Sequence, residues 1–285
     1  MKKNPIVQLP ILRSSYENLT NAERRIADYI MDNPHTFIKQ TVSDIASSTK
    51  SSEITVSRFC KKLGFNGLQN LKIALASGIK PSNNLNYQNI ETTDSYQLIA
   101  GKIFQNITDG LNDTLKLLNF ADVDHAVTLL SKAKRIAAYG FGNSATICKD
   151  IETRFIRFGI PVQAYSDSHQ QFTSASLLNK NDVIIAVSHT GSSTELLESV
   201  KIAKQNAAKI IAITSYSNSA LSKLADITLT GMGREVHYRS EAMASRLIHI
   251  AIVDLLYTGM SIKKHTSYVK NINKMRKVIA QKRNT

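Results

Sequence analysis

Between Arg135 and Thr230 five strand-sized apolar runs alternate with helix-sized amphipathic segments, and this alternation narrows the available folds more than any other feature of the chain. The runs are Arg135–Tyr139, Val162–Tyr165, Val183–Val187, Ile210–Thr214 and Ile227–Thr230. Antiparallel strands can be joined by two residues, whereas parallel strands need a crossover long enough to hold a helix, so this spacing predicts βαβ units. Crossover helices cover both faces of a parallel sheet, which makes its strands apolar throughout instead of alternating. The stretch Asp182–Ser188, DVIIAVS, has that character and is predicted to be the central strand. The C-terminal part is therefore expected to be α/β, with a central parallel sheet covered by helices on both faces. Helices are predicted over Asp122–Ser131 before the first strand and over about Ser240–Tyr257 after the last.

From Thr20 to Ala76 the apolar period is helical instead, as in Ile26, Tyr29 and Ile30, then Ile45 and Ala46, then Val56, Phe59, Cys60 and Leu63. This part is expected to be all-α. Pro81–Asp94 is polar, Asn-rich and without period, and reads as a linker. Ser95–Leu118 reads as one long helix with Leu98, Ile99, Ile103, Ile107, Leu111, Leu115 and Leu118 as its buried stripe. At 285 residues the chain exceeds one core. The expected division is an all-α domain over 1–80, a linker over 81–94, an α/β domain with leading helices over 95–260, and a basic helical tail over 261–285. Cys60 and Cys148 both fall among apolar residues at helical spacing, which suits a reducing, cytoplasmic setting and predicts neither disulfide nor metal. The first twelve residues lack a signal-peptide core, and no run approaches about 20 uninterrupted apolar residues, so no membrane association is expected.

The net charge of +14 becomes informative once divided along the chain. Residues 1–80 hold 12 Lys/Arg against 6 Asp/Glu, residues 81–260 hold 16 against 16, and residues 261–285 hold 8 against none. Polyanion contact is thus expected at the ends and not in the middle. Within the first part, Ser43–Ser48 and Ser52–Leu63 are two helix-sized pieces separated by Thr49–Ser51, which is helix-turn-helix spacing. Ser52 can cap the second helix and Glu53 suits its dipole. Val56, Phe59, Cys60 and Leu63 share one face, while Ile54, Ser57, Arg58, Lys61 and Lys62 lie on the other. That second face is either an ordinary solvated basic surface or a DNA reader. In a major groove Arg58 can take guanine bidentately, Ile54 can meet a thymine methyl, and Lys61 and Lys62 suit phosphates, with Ser52, Glu53, Thr55 and Ser57 beside them.

Two loops of the α/β part stand at strand ends. Gly140-Phe141-Gly142-Asn143-Ser144 follows the first strand, before a helix expected to begin near Ala145; its glycines permit close backbone approach to an anion at the helix start. The third glycine of a dinucleotide fingerprint is missing, since Ala145 takes its place, and no acidic residue closes the next strand, which argues against a nicotinamide cofactor. The second loop, Ser188-His189-Thr190-Gly191-Ser192-Ser193-Thr194-Glu195, places five hydroxyls around one glycine where the central strand ends. One or two would serve as helix caps; five exceed that need and suit a phosphate held without lysine.

The runs Leu19–Pro34 (LTNAERRIADYIMDNP) and Thr41–Lys72, above all Thr55-Val56-Ser57-Arg58-Phe59-Cys60-Lys61-Lys62-Leu63-Gly64-Phe65, resemble the helix-turn-helix domain of RpiR-type bacterial regulators. Lys50-Ser51 departs from the small or apolar residue and valine common there, which would loosen the turn. The two loops resemble the sugar isomerase (SIS) domain over about residues 120–260, the usual C-terminal partner of that helix-turn-helix. The resemblance implies that Ser188, Thr190 and Ser193 bind a phosphate with help from the His189 backbone and neighbouring Ser192, and that Asn143 and Ser144 meet the sugar. It implies an effector that is a phosphosugar, an aminosugar phosphate such as N-acetylmuramic acid 6-phosphate being preferred, with ribose 5-phosphate, glucosamine 6-phosphate and 6-phosphogluconate open. It further implies double-stranded operator DNA as partner, a homo-oligomer, and repression.

The competing class is an aldose–ketose phosphosugar isomerase, which needs a base near neutrality; Glu152, His189, His237 and Glu241 are the candidates. Glu152 reads as a salt-bridge residue, His237 as a polar loop residue, and Glu241 as a hydrogen-bonding partner of sugar hydroxyls, so a sensor without catalytic residues or cofactor is expected. In the tail, Tyr268, Ile272, Met275 and Ile279 lie at helical spacing among lysines, as in an amphipathic helix that packs on its own domain or on another subunit.

Overall fold

The computed structural model describes residues 10–78, 90–233 and 243–283, which divide into two compact units, one up to Asn89 and one from Ile90 onward. The first unit is all-α: α1 (Pro10–Ser15), α2 (Asn21–Asp32), α3 (Pro34–Phe37), α4 (Val42–Ser48), α5 (Glu53–Lys62) and α6 (Leu68–Gly78). Thr20 and Thr41 start α2 and α4 with reciprocal capping boxes to Glu23 and Asp44. Its core gathers Ile26, Ile30, Phe37, Ile45, Val56, Phe59, Leu71 and Leu75.

The second unit opens with a turn at residues 90–94, sequence expected to belong to the linker, in which Asp94 accepts from the Glu91 N–H and pairs with Lys102. Then come α7 (Tyr96–Leu117), α8 (Phe120–Lys132), β1 (Arg135–Tyr139), α9 (Asn143–Phe155), β2 (Val162–Tyr165), α10 (Ser168–Ser176), β3 (Asp182–Ser188), α11 (Thr194–Gln205), β4 (Lys209–Thr214), α12 (Ala220–Leu224), β5 (Ile227–Thr230), α13 (Met243–Lys263) and α14 (His265–Arg283). The five strands form one parallel sheet in the order β2-β1-β3-β4-β5. The fully buried β3 lies at its centre, as its unbroken apolar run requires. One face packs on α8, α9 and α13 through Val127, Ile151, Ile185 and Ile252; the other packs on α10, α11 and α12 through Ala175, Ile184, Val200 and Leu221. At the foot of β3 the buried Asp182 carboxylate accepts from Arg135 and from the Asn179 backbone and side chain, pinning β1 to β3 in register. Among the described helices α13 alone is long and apolar enough to cross a membrane, but Ile248, Ile252, Val253, Leu256 and Met260 are buried against the sheet and its neighbours, as in a core helix.

Helix α7 departs from the expected arrangement in its second half: Leu98, Ile99, Ile103 and Ile107 of the expected stripe are half-buried, but Leu111 and Leu115 are exposed. It buries Lys102, Asn106, Gly110, Asp113 and Thr114 against its own unit, while Phe104 is 72% and Leu115 61% exposed and Leu111 lies on the same open side. Helical period locates a stripe but not what it faces, and here the polar side is the one with partners, the Lys102–Asp94 pair among them. Helix α14 docks through its first half, where the Tyr268 and Tyr257 hydroxyls are 2.9 Å apart and Asn271 Nδ2 donates to Arg157 O. Its second half is open, and Ile279, expected on the packed stripe, is 52% exposed.

Candidate functional site

In the first unit α4, a tight turn and α5 form the helix pair expected from the spacing. Ser52 caps α5, its Oγ accepting from Thr55 N at 3.1 Å and lying 2.8 Å from Thr55 Oγ1, so both hydroxyls serve the helix start. Val56, Phe59 and Cys60 face the core, and Glu53, Ile54 (66% exposed), Ser57, Arg58 and Lys61 face solvent. Lys62 departs from the expected phosphate-facing role. Its Nζ donates to Asn18 O at 2.8 Å and to Glu23 Oε2 at 2.7 Å, so its charge is held within the unit. Burial would push the Glu23 carboxyl up, but Lys62 and the Thr20 amide and hydroxyl outweigh it and hold the carboxyl below its ordinary value. Nor is the turn loose. Arg25 donates from Nε to Thr49 O at 2.9 Å and from Nη2 to Lys50 O at 2.8 Å, and Thr49 Oγ1 lies 2.8 Å from Ser51 Oγ.

In the second unit, β1 and β3 are the adjacent strands from which the chain departs in opposite directions, to β2 on one side and β4 on the other. In open α/β sheets such a switch point leaves a crevice beyond the carboxyl ends of the strands. A cavity of about 290 Å³ lies there, lined by Phe141, Asn143 and Ser144 after β1, by Val187 and Ser188 at the end of β3, and by His189, Thr190, Ser193 and Leu196 beyond it. Six of the eight residues expected to form the ligand site thus share one wall. Ser192 does not line it, its N–H and Oγ being turned to Thr190 Oγ1 and O. Glu241 and His237 lie outside the described residues. Phe141, Val187 and Leu196 are additions; only their places beside the two loops could have marked them in the sequence.

Both loops end in helix starts without a side-chain cap. Among the α-helices of this unit, Ser95, Asn119, Asp167 and Ser219 each cap their helix with a side-chain oxygen, at α7, α8, α10 and α12. Gly142 and Ser193, which precede α9 and α11, make no side-chain cap. Helix α9 starts at Asn143, two residues earlier than expected, because Gly142 at φ 53° turns the chain directly into it. At α9 the Ser144 and Ala145 N–H groups donate to Phe141 O and Gly142 O, so it is the start of α11, beyond β3, that offers its first amides to the cavity, the arrangement that favours an anion. Ser188 Oγ accepts from Gly191 N at 3.1 Å, which leaves its hydrogen to be given elsewhere. Gly191 sits at φ 64°, and a Cβ there would run into Ser219 Oγ, so both backbone and space demand glycine. The loop is moored to β4 by Ser215 N→His189 O at 3.0 Å and Thr214 Oγ1→His189 O at 3.2 Å. Of the other candidates, Glu152 accepts from Ala164 N and pairs with Lys149, the ion-pair role expected of it. Cys60 and Cys148 are buried packing groups whose thiols are pushed up by burial, Cys60 to about 11.

Comparison with known proteins agrees with this division. The helix-turn-helix domain of the rpiR family matches residues 6–82, and the SIS domain matches residues 129–258. The HTH-type transcriptional regulator YbbH of Bacillus subtilis is 32% identical over 276 residues, 96% of this chain and 98% of that protein. The chain belongs to the RpiR family of transcriptional regulators. Other relatives of this RpiR-family chain are longer: the bifunctional protein glk of Paraburkholderia xenovorans is 38% identical over 253 residues, and the chain spans 40% of its length. Among solved structures, the Vibrio vulnificus NanR protein complexed with ManNAc-6P is 26% identical and covers 96% of the chain and 98% of its own, with a TM-score of 0.61. The sugar isomerase domain of an RpiR transcription factor from Sphaerobacter thermophilus, at 18% identity and a TM-score of 0.57, shares the fold over 63% of the chain.

Proposed function

We propose that this RpiR-family regulator works in the cytoplasm as an oligomer that reads operator DNA through α5 and represses until a phosphosugar fills the cavity at the ends of β1 and β3. The observation that carries the reading is the start of α11, which has no side-chain cap, at a cavity whose wall holds the Ser188, Thr190 and Ser193 hydroxyls. Such a site takes a phosphate monoester without a lysine, and the Asn143 side of the cavity is left for the sugar. The ManNAc-6P bound by the NanR protein supports an aminosugar phosphate as the class. The HTH-type regulators to which the chain is similar favour a sensor over the isomerase alternative, and His189, the one candidate base in the described cavity wall, has its Nδ1 engaged by Ser215. The open apolar side of α7 supports a second copy as partner.

The test is calorimetric titration with ManNAc-6P, glucosamine 6-phosphate, N-acetylmuramic acid 6-phosphate, ribose 5-phosphate and 6-phosphogluconate, with each ligand recovered and checked for isomerised product. One of them is expected to bind, to lose at least tenfold in affinity in Ser188→Ala/Thr190→Ala, and to come back unchanged. Arg58→Ala is expected to cost about 1–3 kcal/mol of operator binding. Turnover would make the chain an enzyme, binding undiminished in the double variant would move the phosphate site, and undiminished operator binding would remove Arg58 from the reader.

A further inference from the structure

The cavity wall is joined to α7 by a buried chain of polar groups that the phosphosugar reading leaves unused. His189 Nδ1 lies 2.9 Å from Ser215 Oγ, which lies 3.0 Å from Gly231 O and 3.2 Å from His249 Nε2. His249 Nε2 in turn lies 2.8 Å from Gly231 O. Ser215 is 0% and His249 1% exposed. A carbonyl only accepts, so His249 carries its hydrogen on Nε2 and gives it to Gly231 O, and the single Ser215 hydrogen goes to the second lone pair of the same oxygen. Ser215 Oγ is then an acceptor, and His189 donates to it from Nδ1. Burial drives the His249 imidazole down to about 4, which keeps it neutral and the chain in this one proton arrangement at pH 7.

Gly231 is also where this chain meets the helices. A Cβ on Gly231 would lie 2.8 Å from Ile252 Cδ1 and 3.1 Å from Thr114 Cγ2. A Cβ on Gly110 would lie 3.1 Å from Gly233 Cα, 3.2 Å from Ile248 Cδ1 and 3.3 Å from Met232 O. Residues 231–233 therefore lie against α7 at Gly110 and Thr114 and against α13 at Ile248 and Ile252, and at Gly110 the approach is backbone to backbone, to Gly233 Cα and Met232 O. Close-packed contacts of this kind pass small shifts on instead of damping them. We infer that Ser215 and His249 are coupling residues, through which a ligand at His189 moves the Gly231–Gly233 segment and with it α7, the first helix after the sequence that separates the two units.

The inference rests on the phosphosugar reading, and its test separates the two. In the full chain, operator affinity is measured with and without saturating ManNAc-6P, or whichever sugar phosphate of the panel binds, together with deuterium exchange over residues 102–117. The unaltered chain is expected to show a change in operator affinity of about fivefold or more and altered exchange at 106–114. Ser215→Ala is expected to bind the sugar phosphate within about fivefold of normal, with the operator response reduced to under twofold. Gly110→Ala, which does not touch the cavity, is expected to change the response with sugar affinity kept within twofold. A full operator response in both variants overturns the coupling. If no sugar phosphate binds, the sensor reading fails, and exchange without ligand decides the coupling alone. Ser215→Ala should then speed exchange at 106–114 at least threefold over Ser219→Ala, which removes an equally buried hydroxyl outside the chain of contacts. Equal exchange in the two variants rejects it.

Discussion

Lys62 shows how a single side chain can be read correctly for helical phase and wrongly for its task. It shares a face with Arg58 and carries the charge a phosphate would want, yet it reaches back to Glu23, thirty-nine residues earlier, and to the Asn18 carbonyl. No periodicity within α5 reveals a partner on α2; that pairing exists only once α2 and α5 have packed in the common core. Lys62→Gln is accordingly expected to destabilise the first unit by about 1 kcal/mol at pH 7, measured by urea unfolding of the full chain. The Glu23 carboxyl is held below its ordinary 4.5, so the unfolded chain takes up its proton first as acid is added. The pair's contribution is thus fully present above about pH 4.5 and lost as the pH falls through the lower folded value, and the gap between variant and parent should close over that window. A gap that persists once Glu23 is protonated in the folded chain would mean that Lys62 acts through its bond to Asn18 O or its methylenes and not through the ion pair.

At the scale of elements, the helix-turn-helix ends its two helices with the same device and different residues. After α5, Phe65 N bonds to Cys60 O and Gly64 N to Lys61 O, with Gly64 at φ 86°. After α4, Ser51 N bonds to Ala46 O and Lys50 N to Ser47 O, with Lys50 at φ 48°. Both are Schellman closures, and the left-handed residue costs a lysine about 1 kcal/mol that glycine does not pay. Lys50→Gly should therefore raise the thermal midpoint slightly, by the equivalent of at most about 0.5 kcal/mol once the greater freedom of glycine in the unfolded chain is set against it, and leave operator selectivity unchanged. A fall in the midpoint would show that the lysine side chain earns its place by contacts. The sequence marks Lys50-Ser51 as a departure but does not show that Arg25 holds the turn, since that contact also depends on α2. Elsewhere the elements were plainly legible: β2 and β5 begin and end where their apolar runs do, and β3 is the run DVIIAVS itself, because a strand buried on both faces is apolar throughout. Helix α7 was legible in extent and only partly in orientation, because Leu111 and Leu115 would serve as well on an inner stripe as on an outer one.

For the molecule as a whole, the site followed from the order of the strands. Ser188 and Asn143 are forty-five positions apart and meet because β1 and β3 are neighbours, so the two loops flagged for their glycines and hydroxyls close one cavity. The apolar part of its wall, Phe141, Val187 and Leu196, was marked in the sequence by place alone, in or beside the two loops, since in type these side chains are indistinguishable from those of the core. The outer face of α7 gives the remaining prediction. Phe104→Asp with Leu115→Asp is expected to reduce the mass observed by sedimentation to that of a single chain of 31.6 kDa, with the fold intact by circular dichroism. An assembly that survives both charges must be held through another surface. If α7 is where copies join, the amount of binding-competent regulator grows with the square of the chain concentration when chains are scarce. The outward-facing Phe104 then makes the switch steeper in copy number than any one-to-one contact with DNA would, and a twofold drift in synthesis counts nearly fourfold at the operator.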